Sequence, residues 1–416
     1  MKRRLGSLIL LSGLIFVSLQ IVSIWQDSYP LGLDSIPEDF LKAIRHGSLN
    51  PDPFFRLGLF YQWDIRSMDL DRAVNFLREA IQRNPLNQEY WLGLAGVLQR
   101  RGETGKAGKA LEKAVGVAPQ SYRGHWAAGN ILLQMGEEEK ALSHYSYILA
   151  HYPEKSSLVF DVLGRVYEDS EPLLEKVIPK NPAAFSRYVS YLYETGNIDK
   201  VKKAWGKGPS FGFQPDRAET IRYVDSLISR GDFAEAHQAY VSRLRTEGRT
   251  IRRDDNLLIN GGFEEKAGLG GGFDWKISAP SGTEVSFSPE TVWEGKTSLK
   301  VSFNGKENVD FNQVFQYAAW KPNRSYVLQA KVRTRGLTTQ SGIQLEVSGV
   351  GKPFYASSEV LTGDHDWKDL KVSFRTPEQS QGGVVRFRRA KTEKLDRFIA
   401  GEVWIDDVRL TEGRGN

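Results

Sequence analysis

The stretch QEYWLGLAGVLQRRGETGKAGKALEKAVGVAP, Gln88 to Pro119, decides the fold of the first half of the chain. Trp91, Leu94 and Ala95 fall on one face of a helix, Gly102 supplies a turn, and Ala107, Leu111 and Ala114 line a second helix that Pro119 closes. Outward from there, the prolines at 85, 119 and 153 are 34 residues apart. His125, Ala128, Gly129, Gly136, Ala141, Tyr145 and Ile148 keep the spacing before Pro153. A period of that length marks a helix-turn-helix solenoid. Upstream, Leu57, Gly58, Tyr61, Ala73, Leu77, Ala80 and Pro85 fit once about three residues are inserted around Ser67 to Leu70. Downstream the pattern decays: Pro182 follows after 29 residues, and the last units are read mainly from Gly196/Val201/Trp205 and Gly231/Ala236/Tyr240.

These residues resemble tetratricopeptide repeats, and the resemblance covers residues 51–250. It implies a curved groove, lined by the first helix of each unit, that binds a protein or peptide partner. Arg123, Trp126, Asn130, Gln134, Gln99 and Arg100, with Glu89, are the expected inner-face residues. Gly129-Asn130 is similar to the Asn that holds a peptide carboxylate in some members, but the companion Lys and Asn positions do not line up in neighbouring units. For each of these residues the alternative is an ordinary solvated helix face.

Length and composition set the frame. A chain of 416 residues with 40% hydrophobic and 26% charged residues calls for two to four domains and excludes collagen-like and wholly disordered classes. The net charge of +5 is small for this length, so no nucleic-acid partner is expected. With no cysteine there are no disulfides, thiolate metal sites, cysteine nucleophiles or lipid-modified N-terminal Cys. Lys2, Arg3 and Arg4 precede an uncharged stretch from Leu5 to Trp25, and charge returns at Asp27. Residues 1–26 are therefore expected to be a basic stub and a transmembrane anchor, N-terminus cytoplasmic, with the bulk of the chain extracytoplasmic and periplasmic if bacterial. A cleaved signal peptide is the competing reading. Residues 27–50 read as a linker.

After Arg252-Arg253-Asp254-Asp255 the hydrophobic period changes from 3.6 to 2. Strand-like runs appear at Thr283–Ser288, Thr297–Phe303, Asp310–Tyr317, Ser325–Thr334, Gly342–Ser348, Asp369–Arg375, Gly383–Arg389 and Glu402–Leu410. Leu328/Ala330/Val332 and Leu370/Val372/Phe374 alternate with polar residues, so one face is buried and one wet. About eight strands suit a jelly-roll sandwich over 254–413. In the run Phe311–Tyr317 the odd positions are expected on one face and the even positions on the other.

Asn256-Leu257-Leu258-Ile259-Asn260-Gly261-Gly262-Phe263-Glu264 at the start and Trp404-Ile405-Asp406-Asp407-Val408 at the end carry a second resemblance, to the galactose-binding-like carbohydrate-binding modules of families 4, 9 and 22. Trp275, Gly295–Val301, Gln316, Pro322, Tyr326 and Trp367 fall between them in the expected order. The resemblance implies a structural calcium at Glu264 and Asp407 and a sugar-binding surface; no other cofactor is required. Sugar binding calls for aromatic faces with polar groups beside them. The candidates are the aromatics Tyr317, Trp320, Tyr355 and Trp293, with Gln316 and Arg388 as polar partners; the alternative for each is packing.

Other signals carry no chemistry. Gly208-Pro209-Ser210-Phe211-Gly212 spells a nucleophile elbow without the strand and helix that motif needs. Gly268, Gly270, Gly271 and Gly272 lack a phosphate-loop context and read as a flexible loop. The histidines show no zinc spacing, and no carboxylate pair stands out as a glycosidase acid and base. The fold expected is thus an all-α tetratricopeptide-like solenoid, then an all-β jelly roll, behind an N-terminal transmembrane helix. The function expected is a non-catalytic scaffold in exopolysaccharide or envelope assembly. A protein-only adaptor and a glycan-active enzyme are the alternatives.

Overall fold

The computed structural model describes residues 37–45, 49–249, 255–266, 268–351 and 353–413. None of their helices is long and apolar enough to cross a membrane, and the expected anchor at residues 1–26 lies outside the described residues. The chain parts into two compact units between Gln214 and Pro215.

The first unit is helical. After α1 (Pro37–Arg45) come α2 (Asp52–Trp63) and α3 (Leu70–Arg83), α4 (Gln88–Arg100) and α5 (Thr104–Val117), then α6 (Tyr122–Gln134) and α7 (Glu138–His151). The prolines that end each pair are followed two residues later by a cap. Asn87 accepts the backbone N–H of Glu89 and Ser121 that of Gly124, so one helix stops and the next starts within a few residues. Gly129 lets α6 and α7 close up: a Cβ there would lie 2.9 Å from Cζ of Tyr145. The decay after Pro153 has a plain cause. α8 (Ser156–Val166) is followed by α9 (Glu171–Lys176), which has only 6 residues where α7 has 14, before α10 (Pro182–Glu194) and α11 (Ile198–Lys207) resume the pairing. Ser210 of the G-x-S-x-G stretch sits in a 3-10 turn directly after α11, with no strand before it.

His125 and His144 face each other in this unit with their Nδ1 atoms 2.9 Å apart, while His125 Nε2 lies 2.9 Å from the Pro119 carbonyl. A carbonyl only accepts, so Nε2 carries a proton; neutral His125 then presents Nδ1 as acceptor and His144 donates to it. A second proton would set N–H against N–H. Burial, with His125 beside it, pulls the His144 pKa down to about 4, and burial also lowers His125. Both folded values lie below the unfolded one, so the neutral pair's contribution is complete above about pH 6.5 and declines as pH falls toward 4. Melting temperature should therefore drop over that window, and His144→Gln should flatten the drop; an unchanged pH profile in the variant would count against the shared proton.

The second unit holds α12 (Arg217–Arg230), α13 (Phe233–Thr246) and ten strands: β1 (Lys276–Ile277), β2 (Thr283–Ser288), β3 (Ser298–Asn304), β4 (Phe311–Ala319), β5 (Ser325–Arg335), β6 (Gln344–Gly349), β7 (Tyr355–Ser357), β8 (His365–Arg375), β9 (Gly382–Arg389) and β10 (Ala400–Glu412). They form two five-stranded antiparallel sheets, ordered β1-β4-β9-β6-β7 and β2-β3-β10-β5-β8. Leu328, Ala330 and Val332 meet Leu345, Val347, Val385 and Phe387 in a common core, as the alternation requires. The short strands β1 and β7 at the edges of the first sheet were not anticipated.

The change of period near residue 254 precedes the first strand, β1, but the compact unit begins earlier still, at Pro215. The reason lies in the glycine run. It is not a flexible loop but a seat for the α12–α13 hairpin: a Cβ on Gly271 would come within 2.4 Å of Ile221, and Gly272, at φ +53°, is closed in by Val224 and Tyr240. Gly272 N–H donates to Asp225, Tyr240 Oη to Asp274, and Phe273 is buried among Phe233, His237 and Tyr240.

Candidate functional site

The outward side of the β1-β4-β9-β6-β7 sheet collects the groups that can hold a ligand. Val314, Val385, Phe387, Leu345 and Val347 point into the core, so their strand neighbours Phe315, Arg386, Glu346 and, by pairing, Lys276 point out. Register lines these up across the sheet. Lys276 pairs with Phe315, Phe315 with Arg386, Arg386 with Glu346 and Glu346 with Ser357. A parallel row runs from Tyr317 through Val384 and Ser348 to Tyr355. Beyond it the face ends, because the Phe233 ring of α13 covers Gly382 and stands 6.2 Å from the Tyr317 ring.

Glu346 anchors the polar part. It is almost fully buried, and its carboxylate accepts from Tyr355 Oη (2.6 Å), Gln344 Nε2 (2.7 Å) and Arg386 Nε (2.8 Å). Burial alone would push its pKa up, but these three donors outweigh it and hold the carboxyl below its ordinary value. Tyr355 is 57% exposed at the sheet edge, its hydroxyl fixed but its ring bare. Phe315 and Tyr317 are perpendicular, with centroids 6.0 Å apart. Arg388 belongs to the same face and is tied to Asp310.

The other expected sugar contacts lie elsewhere. Trp320 is in the core, its Nε1 donating to Ser380 Oγ at 3.0 Å and its ring edge-on to Phe354 and Phe374. Gln316 is 1% exposed and clamps Ile259, donating to its carbonyl and accepting its N–H. Trp293 stands on the opposite sheet's outer side, 46% exposed, beside Trp367 and under the Lys331 ammonium at 4.1 Å. The parity expected for β4 also fails at its start. A register shift between Phe311 and Val314 turns Phe311 into the core with the even residues, leaving Phe315 and Tyr317 outside.

Glu264 and Asp407 serve the chain itself. The Glu264 carboxylate accepts the backbone N–H of Lys296 (2.9 and 3.1 Å) and of Thr297, and Asp407 accepts from Arg409 Nε at 2.6 Å. Calcium asks for six to eight oxygens. Oxygens already facing N–H donors do not make that cage, so the pair as arranged does not fit the ion. Neighbouring Asp406, fully buried, accepts from the N–H of Trp293, Glu294 and Asp407, and burial raises its pKa.

In the repeats the expected groove residues divide between buried and partly or fully exposed positions. Trp126 and Asn130 are buried, Asn130 Nδ2 donating to the Trp126 carbonyl at 2.7 Å. Arg123 pairs with Glu89 at 3.2 Å, and Arg100 donates to the Gln62 carbonyl and lies over Trp63. Gln99 and Gln134 are half-buried. Arg123 and Arg100 thus tie one helix pair to the pair before it, whereas the Asn130 bond stays within α6.

Two family models match the chain: residues 65–128 match a tetratricopeptide repeat, and residues 255–393 match a carbohydrate binding domain. Together they give the class, a repeat segment followed by a carbohydrate-binding-type domain. Among individual proteins, the tRNA(Glu)-specific nuclease WapA of Bacillus subtilis subsp. natto is 21% identical over 191 residues, which is 43% of this chain and 8% of that protein. The match thus spans a small fraction of that relative's length. Among solved structures, the CBM22-1 xylan-binding domain of Paenibacillus barcinonensis Xyn10C is 15% identical, covering 38% of this chain and 94% of that one with a TM-score of 0.28. MamA is 16% identical, covering 42% and 86% with a TM-score of 0.26.

Proposed function

We propose that the chain is a non-catalytic, membrane-anchored scaffold whose repeats hold a protein partner and whose open sheet face binds a polysaccharide during cell-surface polysaccharide assembly or export. One observation carries the sugar reading: Phe315, Tyr317 and Tyr355 stand on one outward face with Arg386 and Glu346 between them and Gln344 in the next row, a mixture of partly or fully exposed rings and fixed polar groups that suits a sugar ring. The family match over residues 255–393 supports it. The anchor rests on the apolar run Leu5–Trp25 behind three basic residues.

Titration of the full chain against a polysaccharide array tests the reading. Tyr355→Ala and Tyr317→Ala should each weaken binding about tenfold, roughly 1.4 kcal/mol. Tyr355→Phe, which keeps the 57% exposed ring and removes only the hydroxyl that Glu346 accepts from, separates the ring's contribution from that of the hydrogen bond: it should retain most of the binding that Tyr355→Ala loses. Absence of any sugar binding would leave the protein-only adaptor as the surviving reading.

A further inference from the structure

The open face is polarised by charge. Lys276 and Arg386 flank Phe315 in one straight row, each one strand spacing away, roughly 4.7–4.9 Å in the direction of the ladder bonds. Arg386 is held by Glu346 through Nε alone. Its two Nη nitrogens have no hydrogen-bond partner among the described residues, and Lys276 makes no ion pair among them. The one acid in the row, Glu346, is 3% exposed and has both oxygens engaged, so it presents almost no negative surface to a ligand. Asp310, further along, is tied to Arg388. What remains for an incoming molecule is an aromatic ring with an ammonium on one side and a free guanidinium fork on the other. A planar fork fixed at its inner nitrogen is suited to a carboxylate.

The geometry points to a carboxylate-bearing polysaccharide, a polyuronate, as the ligand of this face, with a sugar ring over Phe315 and its carboxylate held by Arg386 and Lys276. This rests on the glycan-binding reading above and narrows it. Neutral sugars would leave Lys276 without counter-charge and the Arg386 Nη nitrogens without an anionic acceptor, whereas a uronate replaces their water with charge-assisted hydrogen bonds.

The test is isothermal titration of the full chain with polygalacturonate, alginate and hyaluronan, with carboxyl-reduced polygalacturonate and xylan as neutral counterparts. The expected result is binding to an acidic polymer that falls at least about tenfold on carboxyl reduction and weakens with added salt. Lys276→Gln and Arg386→Gln should each cost about the same factor. Because Arg386→Gln also disturbs Glu346, Lys276→Gln, on a side chain with no ion pair among the described residues, keeps the test independent of that disturbance. Equal affinity for acidic and neutral polymers, or for Lys276→Gln and the parent, would overturn the anionic assignment and leave glycan binding standing. No binding to any polymer would overturn both.

Discussion

An Arg389→Met chain should be less stable than the parent by about 3–5 kcal/mol, the largest effect expected of any single substitution in the sandwich. Arg389 is fully buried, yet it sits on a core strand position where a hydrophobic residue would be expected. Its guanidinium donates to the carbonyls of Ser341 (3.1 Å) and Arg397 (2.7 Å), to Asn308 Oδ1 (2.8 Å) and to the Val309 carbonyl. Those acceptors belong to three separate connections, β3–β4, β5–β6 and β9–β10, so one side chain ties three loops at one end of the sandwich. Methionine fills the space but leaves the acceptors dry and unpaired, at about 1–3 kcal/mol for each that water cannot reach. Arg389→Lys should recover little, because one ammonium cannot span the three connections. Urea unfolding gives the measurement: the midpoint should fall with the slope unchanged. A shift below about 1 kcal/mol would show that the loops close without this tie.

A fragment beginning at residue 254, where the hydrophobic period changes, should be much less stable than one beginning at residue 215. The longer fragment keeps the α12–α13 hairpin, and with it the cover over Phe273, Gly271, Gly272 and Gly382. The shorter one exposes Phe273, 1% accessible in the whole unit, and loses the bond from Gly272 to Asp225 and that from Tyr240 to Asp274. Within the full chain Phe233→Ala isolates part of the same effect, since Phe233 is fully buried against the Gly382 backbone; about 3–5 kcal/mol is expected. Equal urea midpoints for the two fragments would mean that the hairpin rests on the sandwich without stabilising it.

Much of the fold was legible because two periods write themselves into residue type. The 34-residue spacing of Pro85, Pro119 and Pro153 and the alternation of Leu328, Ala330 and Val332 each report on a local geometric rule, and the helices and strands fall where those rules put them. The candidate site was legible only in part. Of the residues named as candidate sugar contacts, Tyr317, Tyr355 and Arg388 lie on the open face; Phe315, Lys276, Arg386 and Glu346, which share it, were not among them. Their grouping depends on which strands are neighbours, β1 beside β4 and β4 beside β9, and no local pattern encodes that. Gln316 and Trp320 misled for a related reason: an amide and an indole near a strand end look available to a ligand until the segment they clamp, Ile259 or Ser380, is brought over them. The glycine run read as loose because a glycine's missing side chain looks the same in sequence whether solvent or a packed helix takes its place.

The opening motif of the sandwich also fixes how the domain bears load. Asn256 donates to the Val408 carbonyl and accepts the Leu410 N–H, and Leu257 N–H donates to the Leu410 carbonyl, so the segment that leads into the sandwich is stitched to the side of its last strand. Force that drew residue 256 away from the last strand would load that stitch before it reached the core. The asparagine is thus the mechanical fuse of the sandwich, the first tie to open and the one that shields both sheets until it does.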